Sequence, residues 1–118
     1  MKKQWVENIN NAWENRDLLK DNNTQETIRA IIEEVDKGRL RVAEKLNNTW
    51  LVNDWVKKAI ILYFPIQKME TIELGPLEFH DKMKLKSNYK NLGVRVVPHA
   101  IARYGAFHVT DILPTFVE

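Results

Sequence analysis

The chain contains no cysteine, which excludes disulfide staples, thiolate nucleophiles and cysteine-built metal sites, and which suits a reducing compartment. No apolar run approaches the roughly 20 residues of a membrane-spanning helix. There is little charge of either sign to spare. Eighteen basic residues stand against sixteen acidic ones, and the net +2 is too dispersed to act as a nucleic-acid-attracting field. The opening "MKKQWVENINNAW" mixes Glu7 and asparagines into its first turns and lacks the apolar centre of a secretory signal. The expected location is therefore cytoplasmic, with neither membrane nor nucleic acid as partner. No stretch is low-complexity or a Gly/Ser linker. Glycine-rich phosphate loops, HExxH, calcium-loop patterns and a serine in a nucleophile elbow are all missing, and those reaction classes fall away.

What is present is a globular composition, 44% hydrophobic and 29% charged over 118 residues. A chain of that length fits one ordinary domain and buries about two thirds of its unfolded surface. Trp5, Ile9, Ala12, Trp13, Leu18 and Leu19 recur at helical spacing, so the pattern predicts one helix over 3–19. Asn23 with Glu26 three residues later resembles a capping box; Ile28, Ile31, Ile32 and Val35 form an apolar face, and Gly38 is placed for a left-handed stop. A second helix is expected over 24–37. The period then changes to two in "RLRVAEKL", asparagines 47 and 48 tolerate positive φ, and a β-hairpin is expected over 39–52. Asn53 or Asp54 caps a third helix, whose inner face is either Trp55, Ala59, Leu62 and Tyr63 or Ile60 and Phe64, and Pro65 ends it. Residues 66–91 alternate weakly around a Gly75-Pro76 turn and are expected to be mostly irregular. From Gly93 the chain is extended again.

Candidate chemistry is sparse. His80, His99 and His108 lie far apart, and a packed or exposed histidine explains each as well as a base or ligand does. The lysines between 82 and 90 suggest a solvated loop before an anion surface. The four tryptophans, Trp5, Trp13, Trp50 and Trp55, suggest core before ligand platform.

Arg95 differs. If "VRVV" is a strand, Val94 and Val96 share one face and Arg95 and Val97 the other, and an arginine on a valine-rich strand needs an acceptor. A guanidinium grips a carboxylate with two parallel hydrogen bonds, which lysine cannot imitate. An internal ion pair to one of the acidic residues satisfies the same need, and the residues alone leave both open.

"LRVAEK" at 40–45, Trp50, "WVKKAIILYF" at 55–64 and above all "GVRVVPHAIARYGAF" at 93–107 closely resemble the N-terminal part of the 2,3,4,5-tetrahydropyridine-2,6-dicarboxylate N-succinyltransferases. The resemblance implies an acyltransferase of diaminopimelate and lysine biosynthesis. It implies a homotrimer whose subunits join a mixed helical N-terminal domain to a left-handed parallel β-helix of hexapeptide repeats. Succinyl would pass from succinyl-CoA, a co-substrate of the full-length enzyme and no cofactor of this stretch, to the ring-opened form of tetrahydrodipicolinate, and Arg95 would contact that dicarboxylate. The six-residue spacing of Ile101, Phe107 and Leu113 fits the start of such a β-helix. Two departures stand out. His99 occupies a position where the family has proline or a small residue, and "FHVTDILPTFVE" runs about two residues short of the family's pattern, which disturbs the grid.

The expected fold is thus α+β: a small helical domain with a β-hairpin over 1–92, then a junction strand and the first, truncated coil of a β-helix over 93–118. A lone coil has no neighbour to stack on, so residues after Pro98 are expected to be disordered or to pair with another chain. The chain by itself is expected to be inactive. The competing functional class is a free-standing interaction module that uses its hairpin and tryptophans; a weaker one is an RNA-binding domain using the lysines from 82 to 90.

Overall fold

The computed structural model describes residues 2–107 and the backbone of 116–117. It is a small α+β arrangement of helices and hairpins. Helix α1 spans Lys2–Glu14 and stops earlier than its apolar stripe predicts. The Asn15 side chain accepts a hydrogen bond from the Asp17 amide at 3.2 Å and starts one turn of 3₁₀ helix, Arg16–Lys20. Short polar side chains compete in this way with the α-helical ladder, so the single helix expected over 3–19 is two pieces.

Helix α2, Asn22–Asp36, is capped by Asp21, whose carboxylate accepts from the Thr24 amide at 3.0 Å and the Thr24 hydroxyl at 3.2 Å. The expected cap at Asn23 is corrected by two residues. Its far end closes as a Schellman motif: the Arg39 amide reaches the Glu34 carbonyl at 2.9 Å, the Gly38 amide reaches Val35 at 3.0 Å, and Gly38 has φ +74°. Arg39 adds a two-pronged ion pair to the Glu34 carboxylate at 2.9 and 2.7 Å.

Strands β1 (Ala43–Leu46) and β2 (Thr49–Val52) form the anticipated antiparallel hairpin, shorter than 39–52. Asn47 and Asn48 both have positive φ, 48° and 64°, as a two-residue turn of the primed type requires. Helix α3, Asp54–Ile66, passes Pro65 by one residue before stopping. Val56, Ala59, Leu62 and Tyr63 are its buried face, with Trp55 half-buried beside them and Phe64 on the outside.

The stretch expected to be irregular contains a second hairpin, β3 (Glu70–Leu74) and β4 (Leu77–Asp81), about the Gly75-Pro76 turn. Only the cross-strand pair Ile72 and Phe79 is half-buried; Leu74 and Leu77 are exposed. The period-two signal is confined to Ile72-Glu73-Leu74 and Leu77-Glu78-Phe79, three residues in each strand, and reads only as weak alternation. A single helical turn α4, Tyr89–Leu92, ends at Gly93 with φ +70° and delivers the chain into β5, Arg95–Val96. Strand β5 pairs in parallel with β6, Phe116–Val117.

The core lies where α1, α2 and α3 meet: Ile9, Ile28, Ile31, Val56, Ala59 and Leu62 are fully buried. Trp5, Trp13 and Trp55 pack around its rim. Trp50 does not. It sits on β2 at 67% exposure, so the core assignment fails for that tryptophan. A two-stranded hairpin has no second layer of its own to bury it.

Residues 99–107 are not left without a place in the fold. The segment 102–104 runs antiparallel to 84–86, with the Lys86 amide on the Ala102 carbonyl and the Tyr104 amide on the Lys84 carbonyl, both at 2.8 Å. This corrects the expectation of disorder, or of pairing only with another chain, for that part. His108 and Leu113, and with it the last point of the six-residue grid, lie outside the described residues.

Candidate functional site

The strand carrying Arg95 is fixed by a small apolar cluster separate from the main core. Val94 and Ala102 are its buried members, at 7% and 6% exposure, and Tyr89, Val96 and Ala106 pack against them. The Val94 amide donates to the Tyr89 carbonyl at 2.9 Å, which ties β5 to α4. Alternation then does what the residue pattern requires. Val94 faces inward, Val96 is half-buried, and Arg95 and Val97 are exposed on the other side.

A turn follows at once. The Ala100 amide donates to the Val97 carbonyl at 2.9 Å, with Pro98 second in the turn and His99 third at φ +78°. This is the backbone of a type II turn, in which the third position favours glycine or asparagine. His99 is thus a turn residue. His80 bonds the Thr71 hydroxyl at 2.8 Å across the second hairpin. The described histidines are not brought together, and among the described residues no cluster of three His, Asp or Glu could hold a metal ion.

The lysines from 82 to 90 do not form one surface. Lys82 donates to the Phe64 carbonyl at 3.3 Å, and Lys84 lies over the Tyr104 ring at 6.0 Å. Lys86 turns inward, with only 12% of its side chain exposed. Its ammonium donates to Asp36 Oδ1 at 2.8 Å, to the Asp36 carbonyl at 3.3 Å and to the Ala106 carbonyl. The solvated-loop reading is therefore wrong for Lys86. Asp36 Oδ1 also accepts from the Gly105 amide at 2.8 Å, and Oδ2 from Lys37 at 3.1 Å. Burial opposes the charge on Asp36, but the bonds from Lys86, Gly105 and Lys37 outweigh it and hold the carboxyl below its ordinary range. Next to it the Tyr104 hydroxyl donates to Glu33, which lowers the Glu33 pKa, while burial foremost, and then that bond, raises that of the phenol.

A groove of about 430 Å³ is lined mainly by apolar residues of α2 and α3, among them Ile32, Ile60 and Tyr63, and by residues 101–106. Arg95 is not among its lining residues. The second arginine of the junction, Arg103, lies 3.8 Å from Asp81 with both side chains half-exposed. Sequence reasoning missed the Asp36–Lys86 pair. The single signal available was an aspartate at the end of an otherwise apolar helical face, and its partner is 50 residues away.

Among the described residues no helix is long and apolar enough to cross a membrane. The family model described as "Tetrahydrodipicolinate N-succinyltransferase N-terminal" matches residues 4–66. A 2,3,4,5-tetrahydropyridine-2,6-dicarboxylate N-succinyltransferase of Bordetella petrii is 39% identical over 122 aligned positions, covering 93% of this chain and 45% of the relative. Proteins of the same name from Pseudoalteromonas translucida and Blochmanniella floridana are each 38% identical, over 93% and 83% of this chain and 44% and 38% of their own lengths. The chain spans under half the length of these curated relatives. By the match over more than half its residues, the chain belongs to the tetrahydrodipicolinate N-succinyltransferase N-terminal family.

Proposed function

We propose that this chain is the substrate-side portion of an acyltransferase that moves succinyl from succinyl-CoA to ring-opened tetrahydrodipicolinate, and that Arg95 grips one of the substrate's two carboxylates. The observation that carries the reading is the outward placement of Arg95 on a strand whose neighbours Val94 and Val96 are held in a packed cluster. A rigid strand is a better mount for a bidentate donor than a loop. The names of the relatives supply a dicarboxylate as the ligand.

On this reading Arg95 binds and orients, and proton transfer and thioester chemistry fall to residues of the longer relatives. The parallel pairing of β5 with β6, 21 residues on by the register of Arg95 with Phe116, supports a first β-helix coil beginning at the division near Gly93. A homotrimer belongs to the same reading.

Calorimetric titration of the chain with pyridine-2,6-dicarboxylate, a stable probe, tests the site. Arg95→Lys is expected to weaken binding by about 1–3 kcal/mol, the scale of a charge-assisted contact. Unchanged affinity in that variant, or no binding by the native chain, overturns the assignment.

The exposed Trp50 and Val52 on one face of β2 favour a second reading, a free-standing interaction module. Self-association that Trp50→Ser abolishes, in a chain with no affinity for the dicarboxylate, would reverse the ranking.

A further inference from the structure

We propose that Asp36 and Lys86 are positioning residues for Arg95: the pair fixes the strand that presents the guanidinium, and so sets the affinity for the carboxylate that Arg95 grips. The inference rests on the reading of Arg95 above.

Strand β5 is two residues long; it is tied to α4 by the Val94–Tyr89 bond and paired with β6, and among the described residues its inner side touches the buried side chains of Val94 and Ala102. The strand is therefore placed only as well as the wall that Ala102 supplies. That wall is the segment 102–106, and it is held from the far side. Gly105 donates its amide to Asp36, Ala106 gives its carbonyl to Lys86, and the Lys86 backbone amide holds the Ala102 carbonyl. Asp36 is the last residue of α2, which is rooted in the main core through Ile28, Ile31 and Ile32. The connection is continuous: main core, Asp36, Lys86 with Gly105 and Ala106, Ala102, Val94, and then Arg95 on the opposite face of the same strand.

The pair is a poor choice if stability alone mattered. Two charges at 4% and 12% exposure lose most of their hydration, and apolar residues of similar volume are often no less stabilising. A charge pair has what an apolar contact lacks, which is direction. Asp36 Oδ1 takes two donors at 2.8 Å, and the Lys86 ammonium distributes its protons over one carboxylate and two carbonyls. That geometry admits one placement of the 102–106 segment.

The test compares the native chain with Asp36→Asn, Lys86→Met and Arg95→Gln in two measurements. Amide hydrogen exchange reads β5 against the interior of α2. Calorimetry reads the affinity for pyridine-2,6-dicarboxylate. In both pair variants, exchange at Val94–Val97 is expected to accelerate at least tenfold while Ile28–Ile32 is unchanged. The affinity for the dicarboxylate is expected to fall at least fivefold, towards that of Arg95→Gln.

A merely structural pair would accelerate exchange in α2 and β5 together, and that result overturns the proposal. So does loosening of β5 with the affinity intact. If the native chain does not bind the dicarboxylate, or Arg95→Gln binds it as tightly, the reading of Arg95 fails and takes this inference with it, while the exchange data still report whether the pair holds β5. Asp36→Asn keeps an acceptor for Gly105, and it carries the test should Lys86→Met not fold.

Discussion

Asp36 and Lys86 meet at 2.8 Å across 50 residues of sequence, with their side chains only 4% and 12% exposed. The contact joins the end of α2, a helix of the main core, to the segment that walls the small cluster beneath Arg95. Among the described residues there are therefore two packed regions, one organised by apolar helix faces and one by a buried charge pair with its backbone partners.

The pair makes stability depend on acid in a defined direction. The Asp36 carboxyl titrates below its ordinary range in the folded chain, so on acidification the unfolded chain takes up its proton first. The contribution is complete above the unfolded value, near 4, and drains away as pH falls through the lower native value. Glu33, lowered by the Tyr104 hydroxyl, acts in the same sense. Urea titrations from pH 7 to pH 2 should show a falling midpoint. Asp36→Asn should be about 3 kcal/mol less stable at pH 7, because it leaves a buried ammonium without its counter-charge. Its acid limb should be shallower, with the Glu33 contribution remaining. An unchanged slope in the variant would show that Asp36 is not a principal source of the acid sensitivity.

The phenol of Tyr104 gives the opposite limb. Its native pKa is raised, so its contribution is present below the unfolded value, about 10, and is lost as pH climbs beyond it. Tyr104→Phe should be less stable than the native chain at pH 7 and should lose less on going from pH 9 to pH 11. Equal losses would assign the alkaline limb to other groups.

Much of the helical part was legible because each helix buries a stripe at its own period. Ile28, Ile31 and Ile32 announce α2 and are its buried apolar residues, and Gly38 marks its end with the backbone angle expected of it. The two asparagines of the first turn declared the hairpin, though not that Trp50 on it would face water. The second hairpin was legible only as weak alternation, Ile72 with Leu74 and Leu77 with Phe79 about the Gly75-Pro76 turn, because one half-buried pair, Ile72 and Phe79, is all the apolar contact its ladder requires. The alternation of Val94, Arg95 and Val96 was readable, as a local property of a strand. The Asp36–Lys86 contact was not, because nothing local relates two charged residues that tertiary folding brings together.

Gly38 is both a backbone and a packing requirement. Its φ is +74°, and a Cβ there would lie 2.5 Å from Cε1 of Phe107. Gly38→Ala should destabilise the chain by about 1–2 kcal/mol, the cost of a left-handed alanine plus displacement of that ring. The proportions can be separated by adding Phe107→Ala, which removes the clash and leaves the backbone term. If the double variant is no more stable than Gly38→Ala relative to its own Phe107→Ala parent, the ring contributes nothing.

His99 carries a strain of the same kind without a packing reason for it. It is exposed, it occupies the third position of the turn 97–100, and its φ of +78° is one that a side chain disfavours and glycine does not. Pro98 before it already fixes the other half of the turn. Replacement by glycine relieves the native strain but also enlarges the freedom of the unfolded chain, and the two effects oppose one another. Relief should prevail, because left-handed strain is about 1–2 kcal/mol and the added chain entropy about 0.4–1 kcal/mol. His99→Gly is therefore expected to raise the urea midpoint by a small, measurable amount, and His99→Val, with a branched side chain at the same angle, to lower it by more. A stabilising valine would mean that the turn does not hold this angle in solution.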